Sequence, residues 1–144
     1  LALRRLKIKF DLSKIKRNLK QLVSRYEIVL IEGAGGLMVP LKENYYTADL
    51  VRDLKAELII VSRLGLGTIN HSLLTINQAK AYPLKIKCIL FSDSKGAKKS
   101  LPEQTNAQEI ARLSKIKVLG SIPFLTSFKR NDILKSCRHI KLKV

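Results

Sequence analysis

A carboxylate followed by a glycine-rich turn stands at positions 32–36 of the chain. Glu32 is the first polar residue after the apolar run Ile28–Ile31, and glycines occupy three of the next four positions. A carboxylate oxygen is a hard ligand that suits Mg²⁺, and glycines let backbone N–H groups approach an anion closely. The pattern favours a metal- or phosphate-handling site. A solvated acid before an ordinary turn is an equally supported alternative.

A second glycine-containing loop, Arg63–Thr68, follows another apolar run and leads directly into a helical pattern. Thr68 is predicted to cap that helix, which would leave the backbone amides of Ile69, Asn70 and His71 free. Free amides at the positive end of a helix dipole form an anion-binding geometry. A strand-to-helix loop with a good cap and no ligand is the alternative interpretation, and it has similar weight.

Alternating strands and helices would position both loops. Apolar runs of five or six residues predict strands, and apolar residues at helical spacing predict amphipathic helices between them. Asp11 or Ser13 is predicted to cap the first helix and Thr47 the second. This order indicates βαβ units and a parallel sheet flanked by helices, with ligands at the carboxyl edge. The predicted strands are Tyr26–Ile31, Leu58–Ser62, Ile86–Phe91 and Val118–Ile122, and the predicted helices cover residues 12–24, 48–54, 69–81, 102–113 and 133–139.

Length and composition fit one domain over residues 1–144. The hydrophobic content of 46% is ordinary for a globular protein. Neither a transmembrane run nor a secretory signal is recognisable. Cys88 and Cys137 lack metal-type spacing, and Cys88 is predicted to be a core residue in a strand. A reducing cytoplasm is the expected compartment.

The net charge of +17 would attract any polyanion. No aromatic residues are interleaved with the basic ones and no nucleic-acid-binding motif is present, so a lysine-rich solvated surface with only non-specific nucleic-acid binding is expected. Gly96–Ser100 lacks the spacing of a phosphate-binding loop. The basic residues crowd both ends, as Arg4, Arg5, Lys7, Lys9, Lys14, Lys16, Arg17 and Lys20 at the start and Lys135, Arg138, Lys141 and Lys143 at the end.

Five segments together resemble dethiobiotin synthetase in order and spacing, from residue 12 to about residue 125. The most specific part is Gly67–His71 in the fourth segment, a helix start with glycine, threonine, isoleucine, asparagine and histidine in succession. The segments are Ile31–Gly36, Val39–Leu41, Thr47–Leu50, Gly65–Thr75 and Gly120–Leu125.

The resemblance implies a P-loop NTPase-like α/β fold and a homodimer. Enzymes of that family use ATP and Mg²⁺ to close the ureido ring of dethiobiotin from 7,8-diaminopelargonic acid and CO₂, in biotin biosynthesis. One amine forms a carbamate, ATP phosphorylates the carbamate, and the second amine displaces phosphate.

The resemblance also implies roles for particular residues. Glu32 would be a Mg²⁺ ligand. The turn of Gly33, Ala34, Gly35 and Gly36 would lie beside the triphosphate and the diamine. Ser92, Pro123 and Phe124 would lie at the purine, and the amides of Gly67, Thr68, Ile69 and Asn70 would hold the substrate carboxylate across the dimer interface.

Two departures from the family pattern change the expectation for this chain. The family's N-terminal strand, its phosphate loop and the lysines and acid near them have no counterpart in the sequence. We therefore expect an N-terminally truncated form without synthetase activity of its own. A non-catalytic remnant and, on charge alone, a basic nucleic-acid-binding domain are the alternatives. Ser92 stands where the family commonly has Asn, which predicts weaker base selectivity because a hydroxyl cannot make the amide's two-point contact.

Overall fold

The computed structural model describes residues 9–94, 96 and 101–142. The chain divides after Lys55 into two compact units. The expectation of a single domain over residues 1–144 stays a prediction. The basic residues at positions 4, 5, 7 and 143, and the loop 95–100 apart from Gly96, lie outside the described residues.

The first unit consists of two helices and a short hairpin. Asp11 caps the first helix, because its Oδ1 accepts a hydrogen bond of 2.9 Å from the amide of Lys14. Of the two predicted caps, Asp11 is therefore the one used. No residue of this helix is buried. The elements are α1 (Leu12–Val23), β1 (Pro40–Lys42), β2 (Tyr45–Tyr46) and α2 (Thr47–Asp53).

The predicted strand Tyr26–Ile31 is wrong. The backbone of residues 26–31 joins no ladder, and the side chain of Leu30 is 78% exposed. A strand exists only through hydrogen bonds to a neighbouring strand, and the ladders of the described chain are formed by other segments. The segment therefore has the amino-acid composition of a buried strand, but it pairs with no neighbouring strand among the described residues. Glu32 follows this exposed stretch of chain.

Residues 40–46 form a hairpin, although no strand is predicted there from the sequence. Pro40 pairs with Tyr46 in the antiparallel ladder of β1 and β2. Asn44 takes φ +52° in the turn, a left-handed conformation that Asn tolerates. The predicted cap Thr47 is wrong, because Tyr46 occupies that position and its amide donates to Asp49 Oδ2 at 2.8 Å.

The second unit contains a parallel sheet flanked by helices, which confirms the predicted α/β class. Its three strands lie in the order β3–β4–β5, and both ladders are parallel. The helices α3 and α4 contact each other. The elements are β3 (Leu58–Arg63), α3 (Thr68–Ala81), β4 (Ile86–Ser92), α4 (Leu101–Ser114), β5 (Val118–Ile122) and α5 (Arg130–Cys137).

The core of this unit joins the sheet to α3 and α4. Cys88 is buried on β4 as predicted, and burial raises the pKa of its thiol. The all-apolar run Leu58–Val61 is typical of a strand buried on both faces, but Val61 is 62% exposed while its neighbour Ile60 is buried. Successive strand residues point to opposite faces, so only one face of β3 is covered. The core residues are Ile60, Leu64, Ile76, Ile89, Phe91 and Ile110.

Candidate active site

The three parallel strands of the second unit end at one edge of the sheet. Arg63 pairs with Ser92 between β3 and β4, and Ser92 pairs with Ile122 between β4 and β5. The amide of Asp93 continues the ladder to the carbonyl of Ile122 at 2.9 Å. The loops that follow therefore emerge side by side. This edge brings together two groups of predicted site residues, Gly67–Asn70 and Ser92 with Pro123 and Phe124.

The loop after β3 turns into α3 at Gly67. Gly67 takes φ +87° and occupies the cap position, so the predicted cap Thr68 is wrong. Thr68 is already helical, and its hydroxyl donates to the carbonyl of Arg63 at 2.5 Å. Its amide donates to the carbonyl of Gly65 at 3.2 Å, which closes the turn. The threonine therefore ties the helix start back to the end of the strand.

Two of the three amides predicted to be free are available at this helix start. The amide of His71 donates to the carbonyl of Gly67 at 3.1 Å, so the prediction is wrong for His71. The amides of Ile69 and Asn70 have no acceptor among the described residues. Donors of the first helical turn lack a partner within the helix and lie at the positive end of its dipole. The pair can therefore bind a carboxylate or another anion.

Polar side chains beneath the loop hold it in place. Ser72 Oγ lies 2.9 Å from Ser62 Oγ and 3.5 Å from the hydroxyl of Thr68, which links α3 to β3. Asn106 of α4 is buried, and its Nδ2 donates to the carbonyl of Leu64 at 2.9 Å. Sequence reasoning missed Asn106, because it lies 42 residues from Leu64 and no local motif marks it.

The ends of β4 and β5 carry the residues predicted to face the purine. Ser92 and Pro123 are half-buried, while Phe124 is exposed. The ring of Phe124 lies against the backbone of Gly96, where an added Cβ would be only 2.5 Å from Phe124 Cδ1. The amide of Gly96 donates to Asp93 Oδ1 at 3.3 Å. Ser92 at the end of β4 and Phe124 just after β5 thus follow neighbouring strands at this edge.

Glu32 and the glycine turn belong to the first unit. Glu32 is exposed. Gly35 takes φ +89°, and a Cβ there would approach Val39 Cγ2 to 2.8 Å, so this position requires glycine. The carbonyl of Gly36 accepts a bond of 3.1 Å from the amide of Val39, and the carbonyl of Leu37 one of 2.9 Å from Ala48. The turn is therefore attached to the start of α2.

The donor set of the first unit fits a weakly coordinated Mg²⁺. In the described part of the chain, no group of three or more His, Cys, Asp or Glu residues is arranged to hold a metal ion. Mg²⁺ is commonly bound by one or two carboxylates, with water and substrate phosphates as its other ligands. A single exposed carboxylate such as Glu32 suits that mode.

Two further features are the apolar character of the helices and the state of the cysteines. None of the helices in the described ranges has the length and apolar character needed to cross a membrane. Both cysteines are free thiols.

A family model described as an AAA domain matches residues 1–131. The chain belongs to this AAA domain family. The ATP-dependent dethiobiotin synthetase of Thermodesulfovibrio yellowstonii is 36% identical over 133 residues, which cover 88% of this chain and 55% of that protein. The synthetase of Nitrosopumilus maritimus is 35% identical over 144 residues, which cover 94% of this chain and 62% of that protein. The synthetase of Aquifex aeolicus is 42% identical over 108 residues, which cover 75% of this chain and 48% of that protein.

These comparisons confirm the resemblance to dethiobiotin synthetases on most of this AAA domain chain. The chain spans about half of the length of the curated relatives that it matches. The similarity includes the segments from which the resemblance was first inferred, since the match with the Nitrosopumilus maritimus protein covers 94% of the chain.

Proposed function

We propose that this chain is part of an ATP-dependent dethiobiotin synthetase that acts in biotin biosynthesis. Its substrates are 7,8-diaminopelargonic acid, CO₂ and ATP. One observation carries the proposal: the free amides of Ile69 and Asn70 share a sheet edge with Ser92 and Pro123. An anion site beside a surface with a hydroxyl and an aromatic ring matches a reaction between a carboxylate substrate and a nucleotide.

The carboxylate of the diamine is assigned to the start of α3. Gly67, Thr68, Ile69 and Asn70 form the binding segment, with the amides of Ile69 and Asn70 as the donors. A carboxylate there gains two charge-assisted hydrogen bonds and the favourable end of the helix dipole. Fixing the carboxylate in this way limits how far the amines can move from the sheet edge, which favours their encounter with the bound nucleotide.

The nucleotide base is assigned to Ser92, Pro123 and Phe124. Phe124 offers an exposed ring face for stacking. The Ser92 hydroxyl provides one donor and acceptor group, so discrimination between purine bases is expected to be modest.

The triphosphate is assigned to the turn Gly33, Ala34, Gly35 and Gly36, and a Mg²⁺ ion to Glu32. The positive φ of Gly35 is consistent with a turn that presents backbone amides to an anion. When bound, Mg²⁺ neutralises phosphate charge during phosphoryl transfer.

The working form is proposed to be a homodimer in the cytoplasm. Exposed apolar side chains close in sequence to the proposed carboxylate segment, Leu66 and Leu74, support a partner surface there. The free thiols of Cys88 and Cys137 are consistent with a reducing compartment.

The proposal is tested on the native protein purified from its own cells. We expect ATP-dependent incorporation of isotope-labelled bicarbonate into dethiobiotin when the diamine is present. Glu32→Gln should lower kcat/KM by about a hundredfold, since it removes a charged ligand from the reacting phosphates. Glu43→Gln is the matched control, because Glu43 is an exposed acid of the same unit outside the proposed site.

The dependence of ATP affinity on Mg²⁺ gives a second measurement that needs no turnover. It should weaken in Glu32→Gln and be unchanged in Glu43→Gln. Absence of labelled dethiobiotin from the native protein would contradict the proposed reaction. Equal effects of the two substitutions would contradict only the role of Glu32.

A further inference from the structure

One buried amide side chain links helix α4 to the loop that presents the free amides. Asn106 is only 6% exposed, and its Nδ2 group lies 2.9 Å from the carbonyl oxygen of Leu64 and 3.4 Å from that of Gly65. We infer that Asn106 is a positioning residue for the carboxylate site, an inference that rests on the function proposed above. It sets the direction of the Ile69 and Asn70 amides without contacting the substrate.

The hydrogen bonds form a continuous connection from Asn106 to the helix start. Asn106 bonds the carbonyl of Gly65, and the same carbonyl accepts the amide of Thr68. Thr68 is the first residue of α3, so the position of this carbonyl determines where the helix begins. The next two amides along the helix are those of Ile69 and Asn70.

The loop has few other ways to satisfy the carbonyl of Leu64. Leu64 is 6% exposed and belongs to the hydrophobic core, so its carbonyl oxygen is poorly placed to bond water. A buried carbonyl without a donor is costly, and the chain would relax to avoid it. Loss of the Asn106 amide group is therefore expected to move residues 64–67 relative to α4, and the anion-binding amides with them.

Ser114 provides a matched control at the opposite end of the same helix. It is also buried, and its Oγ accepts a hydrogen bond of 3.1 Å from the amide of Ile116. Replacing Ser114 removes a buried polar contact from α4 while leaving the contacts of the loop in place. The comparison separates general weakening of the helix from displacement of the site.

The test measures binding of 7,8-diaminopelargonic acid and of its methyl ester to the full 144-residue chain by calorimetry. The native chain should prefer the acid to the ester. Asn106→Leu should reduce this preference about tenfold, the effect of one lost well-aligned hydrogen bond. Ser114→Ala should leave it unchanged. Asn106→Ser is a milder replacement, read in the same way if the leucine variant does not fold.

Amide hydrogen exchange at His71 gives a second measurement on the unliganded chain. The His71 amide donates to the Gly67 carbonyl, so it should exchange faster in the Asn106 variants than in Ser114→Ala. Unchanged preference for the acid in folded Asn106 variants would overturn the inference and leave the proposed carboxylate site intact. Failure of the native chain to distinguish acid from ester would overturn both.

Discussion

The chain contains two glycine segments that follow apolar runs, and the two runs differ in burial and in strand pairing. Residues 33–36 follow a run that is exposed and joins no ladder. Residues 65–67 follow β3, which is paired with β4 along its length. At the second segment, Asn106 of α4 donates to the carbonyls of Leu64 and Gly65, and Ser72 of α3 is hydrogen-bonded to Ser62 of β3. The free amides of Ile69 and Asn70 therefore follow a strand end and a loop that these side chains hold in place.

The difference shows that a glycine-rich turn gains its geometry from the elements around it. Glycine permits unusual backbone angles but does not select them. At Gly67 the backbone angles are selected by the end of β3, the start of α3 and the buried side-chain amide of Asn106. At Gly35 it comes from the contact with Val39 and the attachment of the turn to α2. The acid Glu32, by contrast, follows a segment whose side chains face solvent.

The largest expected effect concerns the apolar residues that come just before the two glycine segments. Leu64→Ala should lower the free energy of unfolding by about 2–5 kcal/mol, since Leu64 packs in the core. Leu30→Ala is the matched substitution in the exposed run and should change it by no more than about 0.5 kcal/mol. Urea unfolding of both variants measures the difference. Similar losses would contradict the contrast drawn between the two segments.

A smaller effect is expected inside the first glycine turn. Gly35→Ala should destabilise the protein by about 1–2 kcal/mol, because an L-residue is strained at positive φ and its Cβ would meet Val39. Gly36→Ala is the control, since a Cβ there meets nothing within 4 Å. Thermal unfolding of the pair tests whether the turn is as well defined as the structure shows. Equal stability of the two variants would argue against it.

The third prediction concerns an acid of the second unit that, unlike Glu32, has defined partners. Glu57 forms ion pairs with Lys85 and Lys87, and their hydrogen bonds lower its pKa to about 2. The folded state therefore holds the carboxylate charged at a pH where the unfolded chain binds a proton. This contribution to stability is present above the ordinary glutamate pKa of about 4.3 and is lost as the pH falls towards about 2.

NMR titration of the Glu57 carboxyl carbon measures this pKa directly. Lys87→Met should move the midpoint upward because it removes one of the two partners, and Lys80→Met, on α3, is the control. A midpoint at the ordinary glutamate value in the unaltered protein would show that the ion pairs do not persist in solution.

The smallest effect concerns the charge shared by both units. The net charge of +17 should give weak binding of a random-sequence DNA duplex at low salt. Affinity should fall at least about tenfold between low and physiological salt, with no dependence on sequence. Fluorescence anisotropy with two unrelated duplexes checks this. Salt-resistant, sequence-dependent binding would instead support a nucleic-acid-binding function.

The strands that are predicted correctly from the sequence are short apolar runs that pair with a neighbouring strand. β5 was predicted with the observed ends, and β4 was predicted one residue short. The same reasoning failed for residues 26–31, because an apolar run indicates a preference for burial and does not show whether a neighbouring strand is available. Val61 illustrates the same limit within β3, where the second face is open.

The site was predicted in outline and missed in detail for a similar reason. The free amides of Ile69 and Asn70 follow from local rules at a helix start, and these rules operate within a few residues. The helix cap is Gly67 and not the predicted Thr68, because the hydroxyl of Thr68 donates a hydrogen bond to the carbonyl of Arg63. Asn106 could not be predicted, since its contact with Leu64 depends on how two helices pack against the sheet.

The most direct test of the account is a map of backbone amide shifts in the isotope-labelled chain during titration with 7,8-diaminopelargonic acid. We expect the largest changes at Ile69 and Asn70, and we expect the methyl ester to leave these two amides nearly unchanged. Changes centred on other residues, or equal changes with acid and ester, would contradict the assignment of the substrate carboxylate to the start of α3.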